Sequence, residues 1–380
     1  MHSYTLTFAH DWLVDFGGGE RCLEAMCEEY PRSPIHTLFF DSRQFSGSAI
    51  INRDIHTTFL SRSFFKKRYR TFLALYPFAV EQLDLGFSDV VLSFSHSVAH
   101  GVLTRSDTMH VCYCFTPVRY AWDLYNEYLR LSGLDKGLRS WAARAILHYV
   151  RLWDATTSAR VDHWIADSHH AARRVKRVYG RDAAVIYPPV DVERFKPSAE
   201  KGDAFLVAGR LVPYKRADLA VLACTKLNVP LRVAGDGPEF GRLKRMAGPS
   251  VTFLGRVSDD EMASEMARAK ALLFPGEEDF GITPIESQAA GTPVIAYGIG
   301  GATETISAPD GDDFGEATGL LFSEPTVDSL CAAIQRLDRE AHRFKSASFR
   351  NNVARFTKER FVREMKEFIE TRLEEFRGRG

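Results

Sequence analysis

The segment from residue 271 to residue 296, ALLFPGEEDFGITPIESQAAGTPVIA, holds the residue types best suited to chemistry. A strand is predicted to end at Pro275, and a short helix to begin with Thr283 as its N-cap and Pro284 at its first position. Glu286 follows Thr283 by the spacing of a capping box. The start of such a helix offers free N–H groups and a positive dipole end, which suit a diphosphate. Glu286 therefore either caps the helix only or also serves a ligand site.

Glu278 precedes that helix, on a loop that also contains Glu277 and Asp279. Adjacent carboxylates repel one another. We therefore expect at least one of these acids to have a hydroxyl or cationic partner, which makes the loop a second candidate ligand site.

Two cations follow another predicted strand, in FLVAGRLVPYKRADL. Arg210 and Lys215 stand between this strand and the next helix, where they would neutralise a leaving diphosphate. The alternative is an ordinary exposed helix start. Lysine near a helix N-terminus opposes the dipole, and this favours the functional interpretation.

Glycine-rich turns are weaker signals. Gly17, Gly18 and Gly19 follow the first predicted strand and open a helix, so they could admit a phosphate or a sugar. Their spacing is not GxGxxG, and a tight turn explains them equally well. The GDGP turn that begins at Gly235 is either a plain turn or a loop that faces a nucleoside.

Two histidines flank a predicted strand end in SFSHSVAHG. His96 or His100 could act as a base, although a solvated loop histidine is the commoner case. The acidic turn from 310 to 313 lacks the spacing of a calcium loop. The sequence shows no metal-ligand pattern, and we expect no metal ion.

The composition is that of a globular, two-domain chain. Its 380 residues exceed the roughly 250–300 at which one core stops growing. Basic and acidic residues balance at 49 each, which argues against a nucleic-acid partner. No signal peptide and no apolar run of about 18–20 residues is evident. The six cysteines lack CxxC spacing and are expected to be free or buried thiols in a reducing compartment, which favours a cytoplasmic location.

Short apolar runs alternate with amphipathic stretches, which predicts α/β domains with parallel sheets. We expect an N-terminal domain over 1–195, a second over 196–350, and a C-terminal helix over 351–380. Two doubly wound domains would face a cleft, with ligands beyond the carboxyl ends of the strands. The strands are predicted at Tyr4–Ala9, Val90–Phe94, Val111–Phe115, Trp164–Asp167, Ala184–Tyr187, Phe205–Ala208, Leu231–Ala234, Val251–Leu254, Ala271–Phe274 and Val294–Tyr297.

Taken together, these motifs resemble the family 4 retaining glycosyltransferases of the GT-B fold. The second half does so through GRLVPYKRADL, GDGPE and EEDFGITPIESQAAGTPVIAYGIGGATETI, in which Glu278 and Glu286 form the E-x7-E pattern. The first half is similar to the WbaZ-like mannosyltransferases of bacterial surface-polysaccharide assembly through GGGERCLEAM, SFSHSVAHGV, TPVRYAWD, RVDHWIADS and YGRDAAVIYPPVDVERF.

The resemblance implies a set of roles. It implies a nucleotide-sugar donor, GDP-mannose by analogy, a glycan acceptor that is lipid-linked, and no cofactor. It also implies that the C-terminal helix crosses back to the first domain. By this resemblance Arg210 and Lys215 would bind the diphosphate, Glu286 would bind the ribose, and Glu278 would contact the transferred sugar. The sugar or phosphate would also be bound by the backbone amides of Phe280, Gly281, Ile282 and Thr283. The base would lie near Gly235, Arg256 and Val257, and the site would be closed by Gly17, Gly18 and Gly19.

One position departs from the pattern. Relatives carry histidine before the Thr-Pro of TPVRY, near the sugar, whereas this chain has Phe115. Phenylalanine cannot hydrogen-bond a hydroxyl, so His96 or a backbone carbonyl substitutes, donor preference differs, or catalysis is weak. Two alternatives to an active transferase stay open: a non-catalytic protein that binds sugar-nucleotide or glycan, which Phe115 supports, and a sugar-nucleotide 2-epimerase, which can share a two-domain fold.

A basic and aromatic segment, Ser61–Phe72, has five basic residues and no acid. It is either a solvated helix face or a peripheral contact with the inner face of the cytoplasmic membrane, where each basic residue contributes about 1 kcal/mol. A lipid-linked acceptor would require such a surface.

Overall fold

The protein's structure, a computed structural model, describes residues 4–62 and 69–378. The chain divides into two compact units. Unit 1 comprises Met1–Pro189 and Phe361–Gly380, and unit 2 comprises Val190–Arg360.

Each unit is built on one parallel sheet. The sheet of unit 1 has seven strands in the order β3-β2-β1-β4-β5-β6-β7, and that of unit 2 has six in the order β10-β9-β8-β11-β12-β13. The central strands are apolar runs buried on both faces, as parallel sheets covered by helices require. The strands are β1 (Leu6–His10), β2 (Ile35–Thr37), β3 (Ile55–Thr57), β4 (Val90–Ser95), β5 (Met109–Cys114), β6 (His163–Ala166), β7 (Ala183–Val185), β8 (Phe205–Ala208), β9 (Leu231–Ala234), β10 (Val251–Gly255), β11 (Leu272–Phe274), β12 (Val294–Tyr297) and β13 (Gly319–Phe322).

Within each sheet, helices or 3₁₀ turns lie between successive strands, since parallel strands require crossover connections. They are α1 (Gly18–Glu29), α2 (Tyr76–Val80), α3 (Tyr125–Leu131), α4 (Leu138–Thr157), α5 (His169–Tyr179), α6 (Ala217–Leu227), α7 (Phe240–Met246), α8 (Asp259–Arg268), α9 (Ile282–Ala289), α10 (Ala302–Thr305), α11 (Val327–Glu340), α12 (Ser346–Val353) and α13 (Lys358–Arg377).

The last helix, α13, belongs to unit 1. Its buried side chains recur at helical spacing, from Phe361 through Met365 and Ile369, and join the core of the unit 1 sheet. The ring of Phe361 lies 5.7 Å from that of Tyr113 on β5. The expected return of the C-terminal helix to the first domain is confirmed.

The predicted fold class, two doubly wound parallel sheets, is also confirmed. Three strands escaped prediction, β2, β3 and β13. They have three or four residues each, as the predicted strands β7 and β11 also do, so length alone does not explain the difference. All six cysteines are buried and none forms a disulfide, and Cys112 and Cys114 share one apolar cluster, as their alternation predicted.

The unit boundaries lie at 189/190 and 360/361 rather than at the expected 195/196 and 350/351. Val190 already donates its backbone N–H to the carbonyl of Phe356, 2.8 Å away, within unit 2. Helix α12 also belongs to unit 2, because Asn352 donates to Gln288 on α9 at 2.6 Å.

The basic segment Ser61–Phe72 is described only in part, since residues 63–68 lie outside the described residues. The structure resumes with the short 3₁₀ turns of Tyr69–Leu75. The membrane role expected for this segment stays a prediction.

Candidate functional site

The loops that follow β8, β9, β10, β11 and β12 lie together at the carboxyl edge of the unit 2 sheet, because all of these strands are parallel. Backbone hydrogen bonds tie neighbouring loops together. Leu211 donates to the carbonyl of Asp236 at 2.9 Å, and Gly235 donates to that of Gly255 at 2.7 Å. The edge is thus a connected set of loops.

Glycines make this close approach possible. A Cβ atom on Gly235 would lie 1.9 Å from the carbonyl oxygen of Gly209, and one on Gly276 would lie 2.6 Å from the Cα of Lys215. Neither position can hold a side chain without displacing backbone. These glycines are therefore needed first for loop packing, and Gly235 is more than a plain turn residue.

Lys215 and Glu278 meet at this edge, one from the loop after β8 and the other from the loop after β11. The Lys215 Nζ lies 2.9 Å from the Glu278 Oε1, and the two side chains are 21% and 19% exposed. Burial lowers the pKa of Lys215, but the Glu278 carboxylate outweighs it and the net pKa is raised, so the lysine stays charged. The expectation that an acid of this loop has a cationic partner is thus met by Glu278.

The backbone after Lys215 is constrained. Arg216 has φ 51° and ψ 34°, the left-handed region that non-glycine residues rarely adopt, and it precedes α6 directly. Such outliers concentrate at ligand sites. The turn fixes where the Lys215 side chain leaves the loop.

Two other cations lie at this edge, Arg210 after β8 and Arg256 after β10. Both are exposed, unlike Lys215. Arg210 pairs with none of the described acidic side chains. Val257, next to Arg256, is half-buried and packs against an apolar cluster of unit 2. The edge therefore presents unpaired positive charge beside the Lys215–Glu278 pair.

Helix α9 begins two residues earlier than predicted, and the predicted capping box is wrong. The N-cap is Gly281, with φ 91° and ψ 80°, and no side chain caps the helix. Thr283 is the second helical residue and Pro284 the third. Proline is tolerated there because first-turn N–H groups have no intrahelical partner. The backbone N–H groups of Ile282 and Thr283 lie in the first turn of the helix and therefore have no intrahelical acceptor.

Glu286 is half-buried in the second turn of α9 and is therefore not a capping residue. Other side chains hold this helix in place. Gln288 donates to the carbonyl of Thr305 at 2.9 Å and accepts from Asn352 of α12 at 2.6 Å. The C-terminal end of the helix is therefore fixed by hydrogen bonds.

The loop between β11 and α9 is fixed as well, by a close contact with the segment after β12. Gly301 donates its N–H to the carbonyl of Glu278 at 2.8 Å, and a Cβ on Gly301 would lie 2.2 Å from the carbonyl oxygen of Phe280. The Phe280 side chain itself is buried. The Phe280 side chain is therefore part of the interior and not a ligand contact.

A second cluster lies at the carboxyl edge of the unit 1 sheet, where β1 and β4 end. Asp11 is fully buried and accepts hydrogen bonds of 2.6 Å from the backbone N–H groups of His96, Val98 and Ala99. The His96 Nδ1 lies 3.0 Å from the Asp11 Oδ2. His96 is thus held by a buried carboxylate and is not a freely solvated loop histidine.

Opposing effects act on the ionisation of this pair. Burial raises the pKa of Asp11, but His96 and the backbone donors outweigh it and the net pKa is well below the usual range. Burial lowers the pKa of His96, but Asp11 outweighs it and the net pKa is raised. The pair therefore consists of a buried carboxylate and a histidine whose ring is 33% exposed and whose protonated form the carboxylate favours.

His10 lies beside this pair. Its Nδ1 is 3.0 Å from the carbonyl of Trp12, so Nδ1 carries the proton, and its buried Nε2 has no hydrogen-bond partner among the described residues. A Cβ on Gly19 would lie 3.8 Å from this Nε2 and 3.2 Å from the Phe115 ring. Phe115 therefore packs against the start of α1 in unit 1.

Gly17 is the N-cap of α1, and its N–H donates to the Glu20 carboxylate at 3.0 Å. Gly18 is the first residue of the helix. The predicted glycine opening of this helix is confirmed.

His100, the other candidate base, is buried. It contacts Ser95 at 3.3 Å and Asp154 at 3.4 Å. It belongs to the interior of unit 1.

Sequence reasoning missed Asp11 and His10. The signal was present, because His10 ends the first strand of a parallel sheet and Asp11 follows it, at the edge where ligand-binding side chains are expected.

In the part of the chain that the structure covers, no three His, Cys, Asp or Glu side chains are grouped so as to hold a metal ion. Within the same residues, no helix combines the length and apolarity that a membrane span needs.

Comparison with known families covers most of the chain. Residues 16–194 match the family described as Glycosyltransferase Family 4, and residues 190–355 match that described as Glycosyl transferases group 1.

Among curated proteins, the D-inositol 3-phosphate glycosyltransferase of Mycobacterium bovis (strain BCG / Pasteur 1173P2) is 32% identical over 204 residues. That match covers 47% of this chain and 41% of the relative, so the chain spans about two fifths of the curated relatives' length.

Two solved structures share the fold at lower identity. HepE from Anabaena, in complex with UDP, has a TM-score of 0.70 and 16% identity over 97% of this chain and 100% of its own. Sucrose-phosphate synthase from Thermosynechococcus elongatus has a TM-score of 0.68 and 16% identity over 97% and 98%. The chain therefore has the GT-B fold, and its two successive segments are similar to the family 4 and group 1 glycosyltransferases respectively.

Proposed function

We propose that the protein transfers a hexose from a nucleotide-sugar to a glycan acceptor with retention of configuration and without a metal ion. By sequence resemblance the donor is GDP-mannose, the acceptor is lipid-linked, and the product enters bacterial surface polysaccharide. The observation that carries the proposal is the Lys215–Glu278 pair, at 2.9 Å, which joins the loop after β8 to the loop that leads to the start of α9.

The donor diphosphate binds unit 2 in this proposal. Arg210 supplies an exposed cation, Lys215 a half-buried one, and the N–H groups of Ile282 and Thr283 complete the anion site. Together they stabilise the negative charge that develops on the leaving diphosphate, which is the role a metal ion plays elsewhere. Glu278 then exchanges part of its contact with Lys215 for the hydroxyls of the transferred sugar.

The reaction breaks the bond between the sugar C1 and the diphosphate oxygen and forms a bond between C1 and the acceptor oxygen. The proton of the acceptor hydroxyl passes to the leaving diphosphate on the same face. Under this scheme the protein mainly positions the reactants and stabilises charge. Glu286 binds the ribose, and the base lies near Gly235, Arg256 and Val257.

The identity of the base is the finer part of the proposal. The WbaZ-like resemblance favours guanosine, whereas HepE was crystallised with UDP and with UDP-glucose. Both nucleotides therefore belong in the first experiment.

Calorimetry with GDP and UDP tests the anion site. We expect Arg210→Ala and Lys215→Ala to weaken binding of the preferred nucleotide by about tenfold or more each, since a charge-assisted hydrogen bond contributes roughly 1.5–3 kcal/mol. Arg210→Ala is the cleaner change, because Lys215→Ala also leaves Glu278 without its cation. Lys226→Ala is the matched control, an exposed lysine of α6 paired with Asp328. Unchanged affinity in both site variants would remove these cations from the site.

A mass-spectrometric assay separates the alternatives. A transferase consumes GDP-mannose or UDP-glucose only when a lipid-linked glycan is present, whereas an epimerase releases sugar product without an acceptor. A protein that binds donor and yields no product with any acceptor is the non-catalytic alternative, which Phe115 at the expected histidine position favours.

A further inference from the structure

His10 differs from another buried histidine of unit 1, His110, in how its ring nitrogens are used. The ring of His110 on β5 contacts the Ser93 hydroxyl at 2.8 Å and the Arg160 carbonyl at 3.2 Å, one through each nitrogen. The Nε2 of His10 has no such partner among the described residues, although His10 is only 1% exposed. A buried polar atom without a partner is destabilising, so its presence requires a reason.

The unpartnered nitrogen is a hydrogen-bond acceptor. The Nδ1 of His10 carries the proton and donates it to the carbonyl of Trp12 at 3.0 Å. Burial lowers the pKa of His10 and outweighs the nearby carboxylates of Glu20 and Asp11, so the ring is neutral at neutral pH. Nε2 therefore presents a lone pair that only an N–H or O–H donor can satisfy.

The Nε2 of His10 lies close to the start of α1. A Cβ on Gly19 would lie 3.8 Å from this atom and 3.2 Å from the Phe115 ring. Glycine at this position therefore leaves the approach to Nε2 free of a side chain. Strand register places His10 opposite Phe94 on β4, so His96, just beyond the end of β4, lies at the same edge of the sheet.

His96 supplies the complementary group. Its Nδ1 faces Asp11, so the Nε2–H of the charged ring is not used by that carboxylate, and the side chain is 33% exposed. The rings of Trp12 and Phe115 border it, with centroids 4.6 and 6.4 Å away. An acceptor, a donor and aromatic surface in one place fit a sugar, because its hydroxyls form hydrogen bonds while its C–H groups pack on rings.

The charges around the two histidines favour a neutral ligand over an anion. The carboxylates of Asp11 and Glu20 act on both rings. Glu20 also accepts the N–H of Gly17 at 3.0 Å, so a negative charge already lies at the start of α1. One imidazolium between two carboxylates does not attract a phosphate. Of a phosphate and a sugar, the two ligands that the glycine opening of α1 could admit, the charges therefore favour the sugar.

We propose that His10 is a specificity-determining residue for a neutral sugar bound at the carboxyl edge of the unit 1 sheet. Its Nε2 accepts a hydrogen bond from one ring hydroxyl, and the Nε2–H of His96 donates to another oxygen of the same sugar. A site built to bind a hydroxyl discriminates strongly against a sugar that lacks it, because the buried acceptor is then left unpaired. The identification of this sugar with the acceptor glycan rests on the proposed function, in which the donor diphosphate binds unit 2.

NMR of the imidazole nitrogens of the full chain observes this hydrogen bond directly. The methyl α-hexosides of mannose, glucose and galactose are the probes. We expect one of them to shift the His10 Nε2 resonance saturably toward that of a hydrogen-bonded nitrogen, with Nδ1 unchanged. His10→Asn removes both ring signals and so identifies them. Inorganic phosphate is the anionic probe and should produce no such shift, and a phosphate-induced shift would contradict the neutral ligand.

The variant His10→Asn also separates the roles of the two ring nitrogens. The asparagine amide N–H can replace Nδ1 as the donor to the Trp12 carbonyl, but no acceptor remains at the Nε2 position. We expect hexoside affinity to fall about tenfold, as the loss of one buried hydrogen bond predicts. His110→Asn is the matched control, because both nitrogens of that buried ring are bonded within the chain. It should lower stability without changing the hexoside affinity of the folded protein.

Gly19→Ser tests the same position without altering His10. The serine hydroxyl is one bond beyond a Cβ that lies 3.8 Å from Nε2, so it can donate to this atom in place of the sugar. We expect lower hexoside affinity in a folded protein, which gives a result even if His10→Asn does not fold. Unchanged affinity in Gly19→Ser would contradict a sugar at this position.

Monodeoxy derivatives of the best-bound hexoside show which hydroxyl is recognised. The parent should bind one of them about tenfold or more weakly than the complete hexoside, whereas His10→Asn should bind the two equally. A histidine with a purely structural role would not produce this loss of discrimination.

Three results would overturn the proposal. One is a His10 Nε2 resonance that no hexoside moves, as a permanently bound water would cause. Another is equal hexoside affinity of the parent and His10→Asn. The third is a variant that weakens binding of UDP-glucose relative to UDP but of no hexoside, which would assign the hydroxyl to the donor.

Nucleotide calorimetry and acceptor-dependent consumption of the donor test the proposed function separately. If both succeed in the parent while His10→Asn leaves the KM for the acceptor unchanged, the role of His10 is wrong and the proposed function stands. If the parent binds hexosides through His10 but neither binds nucleotide nor consumes donor, the proposed function is wrong and the sugar site stands.

Discussion

Asp11 illustrates, at the scale of single residues, how a buried charge can be accommodated. Three backbone N–H groups and the His96 ring satisfy this carboxylate, which has no exposure to solvent. A buried carboxylate is tolerated only with such compensation. The same bonds orient His96 at the end of β4. Near this pair lie Glu20 and His10, the other titratable groups that influence it.

The pH dependence of stability follows from the two pKa shifts. The raised pKa of His96 means that its contribution is fully present below its unfolded pKa of 6.5 and is lost as pH rises through the folded value. The lowered pKa of Asp11 means that its contribution is present above the unfolded value of 3.8 and is lost as pH falls through the folded value. The pair is therefore strongest between these two unfolded values.

We predict that His96→Gln destabilises the protein more at about pH 5.5 than at about pH 9, because only the parent gains the imidazolium–carboxylate interaction. Urea denaturation of parent and variant across this range measures the difference. His56→Gln is the control, since His56 is half exposed and pairs with the exposed Asp54. A difference in stability that grows with pH would contradict the assigned ion pair.

At the scale of elements, α9 shows how a helix start can be placed by backbone conformation alone. Gly281 enters the helix at φ 91°, so the chain turns sharply without a capping side chain. The predicted cap, Thr283, already lies inside the helix. Support comes instead from Gln288 and Asn352, which fix the far end of the same helix.

We predict that Gly281→Ala destabilises unit 2 by about 1–2 kcal/mol, because an alanine at this φ brings its Cβ against the backbone. Thr283→Ala is the internal comparison and should change stability by no more than about 0.5 kcal/mol, since it removes no capping bond. Thermal or chemical denaturation of both variants gives the two values. A larger loss for Thr283→Ala than for Gly281→Ala would restore the threonine cap.

At the scale of the whole molecule, α13 completes a core that the first 189 residues begin. Phe361, Met365 and Ile369 are fully buried in the apolar cluster of the unit 1 sheet. The N-terminal strands and the C-terminal helix are therefore one folding unit despite their separation in sequence. Unit 2 is inserted between them along the chain.

We predict that Phe361→Ala destabilises unit 1 by about 3–5 kcal/mol through the cavity it creates. Lys366→Ala on the same helix should cost at most about 1 kcal/mol, because its pair with Glu29 is one-third exposed. Denaturation monitored by tryptophan fluorescence follows unit 1, which holds all five tryptophans. If Phe361→Ala still binds nucleotide at temperatures where unit 1 is unfolded, unit 2 folds alone. Equal stability of Phe361→Ala and Lys366→Ala would exclude α13 from the core.

The sequence by itself determined the fold class and the loops that matter. Apolar runs of strand length between amphipathic stretches predicted both parallel sheets, since side-chain periodicity depends on local backbone geometry alone. Residue types at the ends of these strands indicated Lys215, Glu278 and the glycine loops, because ligands bind at the carboxyl ends of parallel strands. Only the tertiary structure decided that Glu278 meets Lys215, because the two residues lie on loops that follow different strands. It also paired Asp11 with His96 and turned α4 so that Trp141 faces outward. Those facts depend on contacts between residues distant in sequence, on which local periodicity has no bearing.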